Sequence, residues 1–274
     1  MFYLDLFSTK IEYKFIESSH FSSQSFFIFV HMSGEWFESW FNTKYYHTLY
    51  KNRDDSEAKK FISKLINFLD PEPGAKFVDI ACGKGRHSIF INQLGYYVVG
   101  YDLSEESILE ANKLSKKNLK FYTHDMRQIF RTNYFDFALN LFTSFGYFKN
   151  KRDEFNAIKS SAKNLKENGI LVIDFLNRDR VMEDLVAKET KSVDGINFKI
   201  TKEIKNNTII KSIKFSDNGK KYSFQECVKL LSLQNFNSYL SEVNLKITHT
   251  FGNYNLDEFN KTSERLIIIA KKIG

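Results

Sequence analysis

The sequence predicts an α/β protein with a mostly parallel sheet that carries helices on both faces. Two observations support this fold class. Short apolar runs, which are typical of buried strands, alternate with amphipathic helical segments through the middle of the chain. Turn residues such as Pro71–Gly74, Gly83–Gly85 and Gly95 separate these segments. Strands that alternate with helices at short spacing form a parallel sheet wound on both faces.

The first element of this core is a helix, because apolar residues recur at three- and four-residue spacing until Pro71-Glu72-Pro73-Gly74 ends it. Its apolar positions are Ala58, Phe61, Ile62, Leu65, Ile66 and Leu69. Five apolar strands are predicted next, at residues 77–81, 97–101, 119–122, 135–142 and 170–175. The helices between them are predicted at 88–94, after a cap at Ser104, and at 153–166, with Gly169 as the stop.

After Asn177 the pattern changes to antiparallel strands. Three alternating runs, with a strong turn signal at Asp217-Asn218-Gly219, predict a meander inserted after the fifth strand. These runs are residues 196–204, 209–215 and 222–231. The last two strands, after a helix capped by Ser232, are predicted at 245–251 and 265–271. The complete prediction is a seven-stranded sheet with an inserted antiparallel β meander.

These elements divide the chain into four expected regions. They are an extension (1–31), a core with an N-terminal helical lid (32–178), an antiparallel insertion that caps the site (179–231), and the last helix and strands of the core (232–274). We hypothesise that the extension is dispensable and reflects a misplaced start, because the coherent sequence opens at Met32. Seven aromatic residues between positions 36 and 50 could close over a flat ligand or pack on the core, and both interpretations stay open.

The composition excludes several classes of protein. Hydrophobic residues make up 42% of the chain and charged residues 27%, a balance typical of a globular protein with a sizeable core. The two cysteines, Cys82 and Cys227, exclude a disulfide scaffold and a cysteine-rich zinc module, and they indicate a reducing, cytoplasmic compartment. No apolar run approaches the roughly 18 residues of a membrane span, and no metal site is predicted. The net charge of +7 comes mostly from scattered lysines, which favours a solvated surface over a nucleic-acid patch.

The stretch Asp79-Ile-Ala-Cys-Gly-Lys-Gly85 carries the chemistry. It joins a predicted strand to a helix, where glycines allow close approach of the backbone to a ligand and the helix N-terminus offers free N–H groups. Asp102 closes the next strand and can accept both hydroxyls of a ribose. A dinucleotide site would need a third glycine where this chain has Ser88, and Asp79 would repel a pyrophosphate but could hold an ammonium group. The residues therefore favour S-adenosylmethionine (SAM) over a dinucleotide.

Five motifs in order resemble those of the class I SAM-dependent methyltransferases, which implies a Rossmann-like fold. Asp79-Ile-Ala-Cys-Gly-Lys-Gly-Arg-His-Ser88 resembles the first motif, and Val98-Val-Gly-Tyr-Asp-Leu-Ser104 resembles the second-strand motif. Residues 124–127 resemble the family's adenine-binding segment. Residues 135–148 resemble its fourth-strand motif, and residues 165–175 resemble its fifth-strand motif. The resemblance is strong over residues 36–178 and weaker towards the C-terminus, where 263–272 resembles the closing strand.

The resemblance implies a set of cofactor-binding residues. The methionine part is expected at Asp79, Ala81, Gly83 and Gly85, with Asn140 beneath its end. The ribose is expected at Asp102, and the adenine at Leu103, Met126 and, through its N6, Asp125. Tyr46, Tyr50 and Arg53 are expected either to contact the cofactor carboxylate or to close the pocket. Ala81 departs from the family pattern, because many members have glycine at this position.

Several of these side chains also have a plain structural interpretation. Asp102 could cap the following helix, although Ser104 suits that position better, and Asp125 could cap a turn. Asp79 is costly to bury without a partner, which favours a role in binding. Cys82 is expected to be a small loop residue rather than a nucleophile.

The methyl acceptor is expected to be a small molecule, because the meander is predicted to roof the site and such insertions serve small-molecule acceptors in the methyltransferases that the sequence resembles. Residues 188–221 contain nine lysines and four acids, which keeps an RNA or protein acceptor open, but they lack the stacking aromatics of a single-strand platform. A SAM-binding module without catalysis is the alternative from another class, and a dinucleotide enzyme is a more distant one. No catalytic base is assigned, although Tyr147 and His124 are plausible by position. These patterns specify no oligomeric state.

Overall fold

The computed structural model describes residues 27–28, 35–51 and 55–274. Its strands are β1 (Phe27–Ile28), β2 (Lys76–Ile80), β3 (Tyr97–Asp102), β4 (Leu119–Thr123), β5 (Phe135–Asn140), β6 (Leu165–Leu176), β7 (Lys188–Val193), β8 (Ile196–Lys205), β9 (Thr208–Asp217), β10 (Lys220–Lys229), β11 (Leu245–Phe251) and β12 (Arg265–Lys272). Its helices are α1 (Trp36–Trp40), α2 (Lys44–Leu49), α3 (Asp55–Leu69), α4 (Arg86–Gln93), α5 (Glu105–Asn112), α6 (Lys151–Asn164), α7 (Arg178–Glu183) and α8 (Leu233–Ser241). The extension expected at 1–31, apart from β1, and the start expected at Met32 lie outside the described residues.

The larger sheet confirms the α/β prediction of seven mostly parallel strands. Its strand order is β11-β12-β6-β5-β2-β3-β4. Strand β2 pairs in parallel with both β3 and β5, and β4 and β6 continue the parallel part on either side. Strands β12 and β11 are antiparallel to their neighbours. The chain thus builds outwards from β2 to β4, returns to β5 and builds in the other direction, which opens a crevice at the carboxyl ends of β2 and β5.

The two faces of this sheet bury the apolar residues that the helical periodicity selects. Phe61, Ile62 and Leu65 of α3 are fully buried on one face, where they pack with Phe77 of β2. Burial of each such side chain contributes about 1.5–3 kcal/mol relative to exposure. Helices α6 and α8 cover the opposite face. The cap predicted at Ser104 is confirmed, because its Oγ accepts the N–H of Ser107 at 3.2 Å.

The end of helix α6 differs from the sequence prediction. The helix stops at Asn164, and Gly169 lies within the strand β6 instead of marking the helix end. Leu165 is fully buried and pairs with Phe135 of β5, so the chain joins the sheet as soon as it leaves the helix. The burial of Leu165 therefore outweighs the stop signal of the later glycine.

The smaller sheet has the order β1-β10-β9-β8-β7 and contains the predicted meander as β8, β9 and β10. Sequence analysis missed β7, because only two of its six residues are even partly buried and the run lacks an apolar alternation. The inner face of the meander buries Phe198, Ile213 and Phe215 against Trp40 of α1 and Tyr45 of α2. The two short N-terminal helices thus lie between the meander and the larger sheet.

Two negative findings hold for the part of the chain that the structure describes. No helix there is long and apolar enough to cross a membrane. Nor do histidine, cysteine, aspartate and glutamate side chains gather there in a group that could hold a metal ion.

Candidate active site

A cavity of about 310 Å³ opens at the carboxyl ends of β2, β3, β4 and β5, beside helices α1 and α2. Nine of the twelve residues expected to contact the cofactor or close the site line it, namely Tyr46, Tyr50, Asp79, Ala81, Gly83, Asp102, Leu103, Asp125 and Met126. Gly85 and Asn140 lie beside it without lining it, and Arg53 is outside the described residues. Leu141 and Phe142, which follow β5, also line it, so the fold brings residues from four separate strand ends to one place.

The loop between β2 and α4 winds through left-handed backbone conformations. Ala81, Gly83 and Gly85 have φ angles of +59°, +55° and +78°. Glycine adopts this region freely, whereas the same conformation raises the free energy of an alanine by roughly 1 kcal/mol or more. A Cβ on Gly85 would lie 2.5 Å from the ring of Phe121, so this glycine permits close packing behind the loop. Ala81 and Gly83 face the cavity.

The carboxylate of Asp102 ties two loops together. Its Oδ2 accepts the backbone N–H of Gly83 and its Oδ1 accepts that of Ser104, each at 2.8 Å. Burial raises the pKa of Asp102, and these backbone donors oppose the rise. The side chain therefore fixes the glycine loop to the end of β3 and still borders the cavity. The cap of α5 is provided by Ser104, not by Asp102.

The carboxylate of Asp79 lies deep at the cavity floor and is only 2% exposed. The hydroxyl of Ser88 donates to its Oδ2 at 2.6 Å. Burial raises the pKa of Asp79 to about 7, because the hydrogen bonds from Ser88 offset only part of the desolvation and the Asp102 charge adds to it. The charge of Arg86 and the bonds from Ser88 thus compensate the buried carboxylate only in part, and a cationic ligand group would favour its charged form.

Arg127 is a component of the site that sequence analysis missed. It donates to both oxygens of Asp125, with the shortest contact at 2.7 Å, and to Glu35 Oε2 at 2.6 Å. Burial would raise the pKa of Asp125, but the hydrogen bonds and charge of Arg127 outweigh it and hold the pKa below its usual value. Arg127 follows Asp125 by two residues, yet its partner Glu35 is 92 residues away and could not be read from the motif.

Asn140 lies behind the cavity floor rather than on it. It is 4% exposed, and its Nδ2 donates to the carbonyl of Ile80 at 3.3 Å. Together with Met126 it borders a small internal void of about 10 Å³. Asn140 is thus positioned to hold the end of β2, which precedes the glycine loop.

Aromatic side chains form one wall of the cavity. Phe41, Tyr46, Tyr50 and Tyr147 all line it. The ring centroids of Phe41 and Tyr46 are 4.8 Å apart, those of Tyr46 and Tyr50 are 5.0 Å apart, and those of Phe41 and Tyr147 are 5.6 Å apart. Of the aromatic residues in and directly after α1 and α2, four line the cavity, namely Phe37, Phe41, Tyr46 and Tyr50, whereas Trp40 and Tyr45 are buried against the meander. A continuous aromatic wall favours flat or cationic ligands.

Three further side chains that line the cavity are those of Tyr147, His124 and Cys82. The Tyr147 hydroxyl donates to the carbonyl of Thr143, and His124 Nε2 lies 2.9 Å from the carbonyl of Gln128. Burial raises the pKa of the Cys82 thiol, with the charges of Asp79 and Asp102 adding to the shift, so the thiol stays protonated. This agrees with a packing role for Cys82.

The central part of the chain matches a known family. Residues 77–169 match the model of a family described as a methyltransferase domain. A glycine/sarcosine N-methyltransferase from Aphanothece halophytica is 32% identical over 158 residues, which cover 55% of this chain and 58% of that protein. The chain spans about half the length of the curated relatives it matches.

Solved structures share the fold over most of the chain. A SAM-dependent methyltransferase from Clostridium acetobutylicum matches with a TM-score of 0.71 and 19% identity, covering 84% of this chain and 96% of that one. The sugar N-methyltransferase KedS8 from a Streptoalloteichus species matches with a TM-score of 0.68 and 14% identity, covering 93% of this chain and 100% of that one. At these identities the likeness shows the fold.

Proposed function

We propose that this chain, whose residues 77–169 match the model of a methyltransferase domain, is a class I SAM-dependent methyltransferase that transfers the methyl group of SAM to a small-molecule acceptor. The observation that carries the proposal is the cavity at the carboxyl ends of β2 to β5. Two carboxylates from adjacent strands, those of Asp79 and Asp102, border it together with the glycine loop. SAM supplies a methyl group on a sulfonium cation, which is activated for displacement.

The charge at Asp79 supports SAM as the cofactor. Its buried carboxylate would hold the ammonium of the methionine part, and the backbone of Ala81 and Gly83 would approach the same part closely. Asp102 would accept the ribose hydroxyls with the lone pairs that its backbone donors leave available. Leu103 and Met126 would enclose the adenine, with Asp125 beside its N6. Gly85 and Asn140 would support this site from behind.

The aromatic wall supports an amine as the acceptor. Tyr46, Tyr50 and Tyr147 line the cavity, and aromatic ring faces stabilise the ammonium that forms as a nitrogen is methylated. The position of α1 and α2 beside the cavity supports a small acceptor, because these helices would cover the site and exclude water during transfer. The names of two relatives, a glycine/sarcosine N-methyltransferase and a sugar N-methyltransferase, agree with this acceptor class.

An acceptor panel tests this proposal. The purified protein is incubated with SAM and, separately, with glycine, sarcosine, an amino-sugar nucleotide or bulk tRNA, and S-adenosylhomocysteine (SAH) formation is measured. We expect turnover with at least one amine and none with tRNA, and loss of that turnover in Asp102→Ala. Turnover with tRNA alone would replace the small molecule by RNA, and SAH binding without any turnover would favour a non-catalytic module.

A further inference from the structure

The loop that follows β5 contains two consecutive residues in the left-handed region. Phe142 has a φ of +56° and Thr143 a φ of +60°. Neither is glycine, and a bulky or β-branched side chain makes this conformation costly. Such strain persists only where the surrounding structure holds it, and it concentrates at functional sites. Contacts from the surrounding structure must therefore hold residues 141–148, here called the β5 loop.

A buried ion pair from two other strands holds the β5 loop. Asp174 of β6 is fully buried, and its Oδ2 accepts the backbone N–H of Phe142 at 2.8 Å. Its backbone carbonyl accepts the N–H of Thr143 at 2.9 Å. Arg265 of β12 donates through Nε to Asp174 Oδ1 at 2.8 Å and through Nη2 to Thr143 Oγ1 at 2.9 Å. The pair thus binds both strained residues at once.

The β5 loop forms part of the cavity wall. Phe142 lines the cavity, and its ring stacks on His87 with the centroids 4.7 Å apart and the planes at 9°. The guanidinium carbon of Arg86 also lies over the Phe142 ring, 5.3 Å from its centroid. The Tyr147 hydroxyl donates to the carbonyl of Thr143, so the position of this aromatic wall residue also depends on the strained turn.

We propose that Asp174 and Arg265 are positioning residues, which hold Phe142 and Thr143 in their strained conformation and thereby set the acceptor side of the cavity. The inference rests on the proposed function, because it assigns the β5 loop to the acceptor rather than to the cofactor. Neither Asp174 nor Arg265 lines the cavity, so both act through the loop.

The test separates the hold on the loop from the stability of the protein. Thr143→Val removes the oxygen that Arg265 binds but keeps the shape of the side chain and the ion pair. Arg265→Lys keeps the positive charge, but a single ammonium cannot reproduce the two hydrogen bonds that the guanidinium donates to Asp174 and Thr143. Tyr254→Phe is the matched control. It removes a hydroxyl that donates to the same carboxylate at 3.2 Å, and it keeps the ring whose centroid lies 5.3 Å from that of Phe142. Asp174→Asn is added for comparison, since loss of a buried charge can unfold the protein.

Hydrogen exchange of the β5 loop is measured in each variant, together with the thermal midpoint and the affinity for SAH. In Thr143→Val and Arg265→Lys we expect the Phe142 and Thr143 amides to exchange about ten-fold faster or more, because a hydrogen bond to a charged group is lost. SAH affinity should stay within about two-fold, and exchange in β2 and β3 should not change. Tyr254→Phe should exchange as the wild type does.

Activity completes the test with whichever amine supports turnover. We expect Thr143→Val to lower kcat for that amine about ten-fold, with the KM for SAM unchanged. Unchanged exchange in the β5 loop, acceleration across the whole sheet, or faster exchange with unaltered kcat would each overturn the proposal. Failure of the proposed function would appear differently, in the wild-type protein itself, as a folded protein that does not bind SAH or that binds it without turnover of any amine.

Discussion

The hydroxyl of Tyr50 donates to the carboxylate of Glu226 at 2.7 Å, and this bond joins the aromatic wall of the cavity to the meander. Glu226 of β10 also accepts from Trp40 Nε1 at 2.7 Å and pairs with Lys211 of β9 at 3.4 Å. One carboxylate therefore connects α1, the end of α2 and two strands of the meander. The meander thereby positions a wall of the candidate active site, although it lies outside the sheet that carries the glycine loop.

Glu226→Gln should destabilise the protein by about 2 kcal/mol or more. The change leaves the Lys211 ammonium without its counter-ion, and both side chains are only 15% exposed, so water replaces the lost interaction poorly. Urea unfolding measures the change in the free energy of unfolding. The matched control is Asp194→Asn, which breaks the exposed pair with Lys51 and should cost less than about 1 kcal/mol. Equal losses in the two variants would contradict the role of the Glu226 cluster.

The affinity for SAH should fall as the pH drops below about 7. The raised pKa means that Asp79 of the unliganded protein takes up a proton as the pH falls through about 7, and the neutral acid cannot pair with the ligand ammonium. The affinity should then decrease by up to about ten-fold per pH unit, until the pKa of the bound form is reached. Calorimetric titrations between pH 5 and 9 measure this slope. Asp79→Asn should bind weakly and without the slope, and a wild-type affinity that is flat below pH 7 would refute the assignment.

Ala81→Gly should leave both stability and SAH affinity nearly unchanged. Glycine relieves the left-handed strain at φ +59°, but it also increases the entropy of the unfolded chain, and the two effects of about 1 kcal/mol nearly cancel. Ala81→Val should instead destabilise the protein by more than about 1 kcal/mol, because a β-branched side chain tolerates this conformation poorly. Thermal unfolding and SAH titration of the two variants provide the comparison. A strongly destabilised Ala81→Gly variant would show that the methyl group makes contacts that outweigh the strain.

Gly85→Ala and Gly83→Ala should separate stability from binding. A Cβ on Gly85 would meet the ring of Phe121 at 2.5 Å, whereas a Cβ on Gly83 has no neighbour within 4 Å. Both substitutions carry left-handed strain, so Gly85→Ala should cost at least about 1 kcal/mol more in the free energy of unfolding. Gly83→Ala should instead weaken SAH binding, because Gly83 borders the cavity. A larger loss of stability in Gly83→Ala, or a larger loss of SAH affinity in Gly85→Ala, would contradict this assignment.

Local signals in the sequence predicted most of the larger sheet. The periodicity of α3 and the cap at Ser104 depend on neighbours within one or two turns, and the structure confirms both. The stop signal at Gly169 failed because the burial of Leu165, a tertiary effect, ends α6 earlier. Strand β7 was missed because an exposed edge strand needs no apolar alternation. The four regional boundaries, including the lid and the extension, remain predictions.

The candidate site was predictable only where its residues share a motif. Asp79 and Asp102 end adjacent strands, and parallel pairing brings such positions together regardless of the rest of the chain. The link between Arg127 and Glu35, and the hold of Arg265 on Thr143, span 92 and 122 residues and have no local signature. The binding roles of the site residues, and the acceptor, therefore remain proposals.

Calorimetric titration with SAH tests the central claim most directly, beside an Asp102→Ala variant whose folding is confirmed by thermal unfolding. The account predicts micromolar binding to the wild type at neutral pH and a loss of about 100-fold or more in the variant, because the ribose hydroxyls lose their acceptor and the glycine loop loses its tie to β3. No binding to a folded wild-type protein would contradict the claim that this cavity holds SAM.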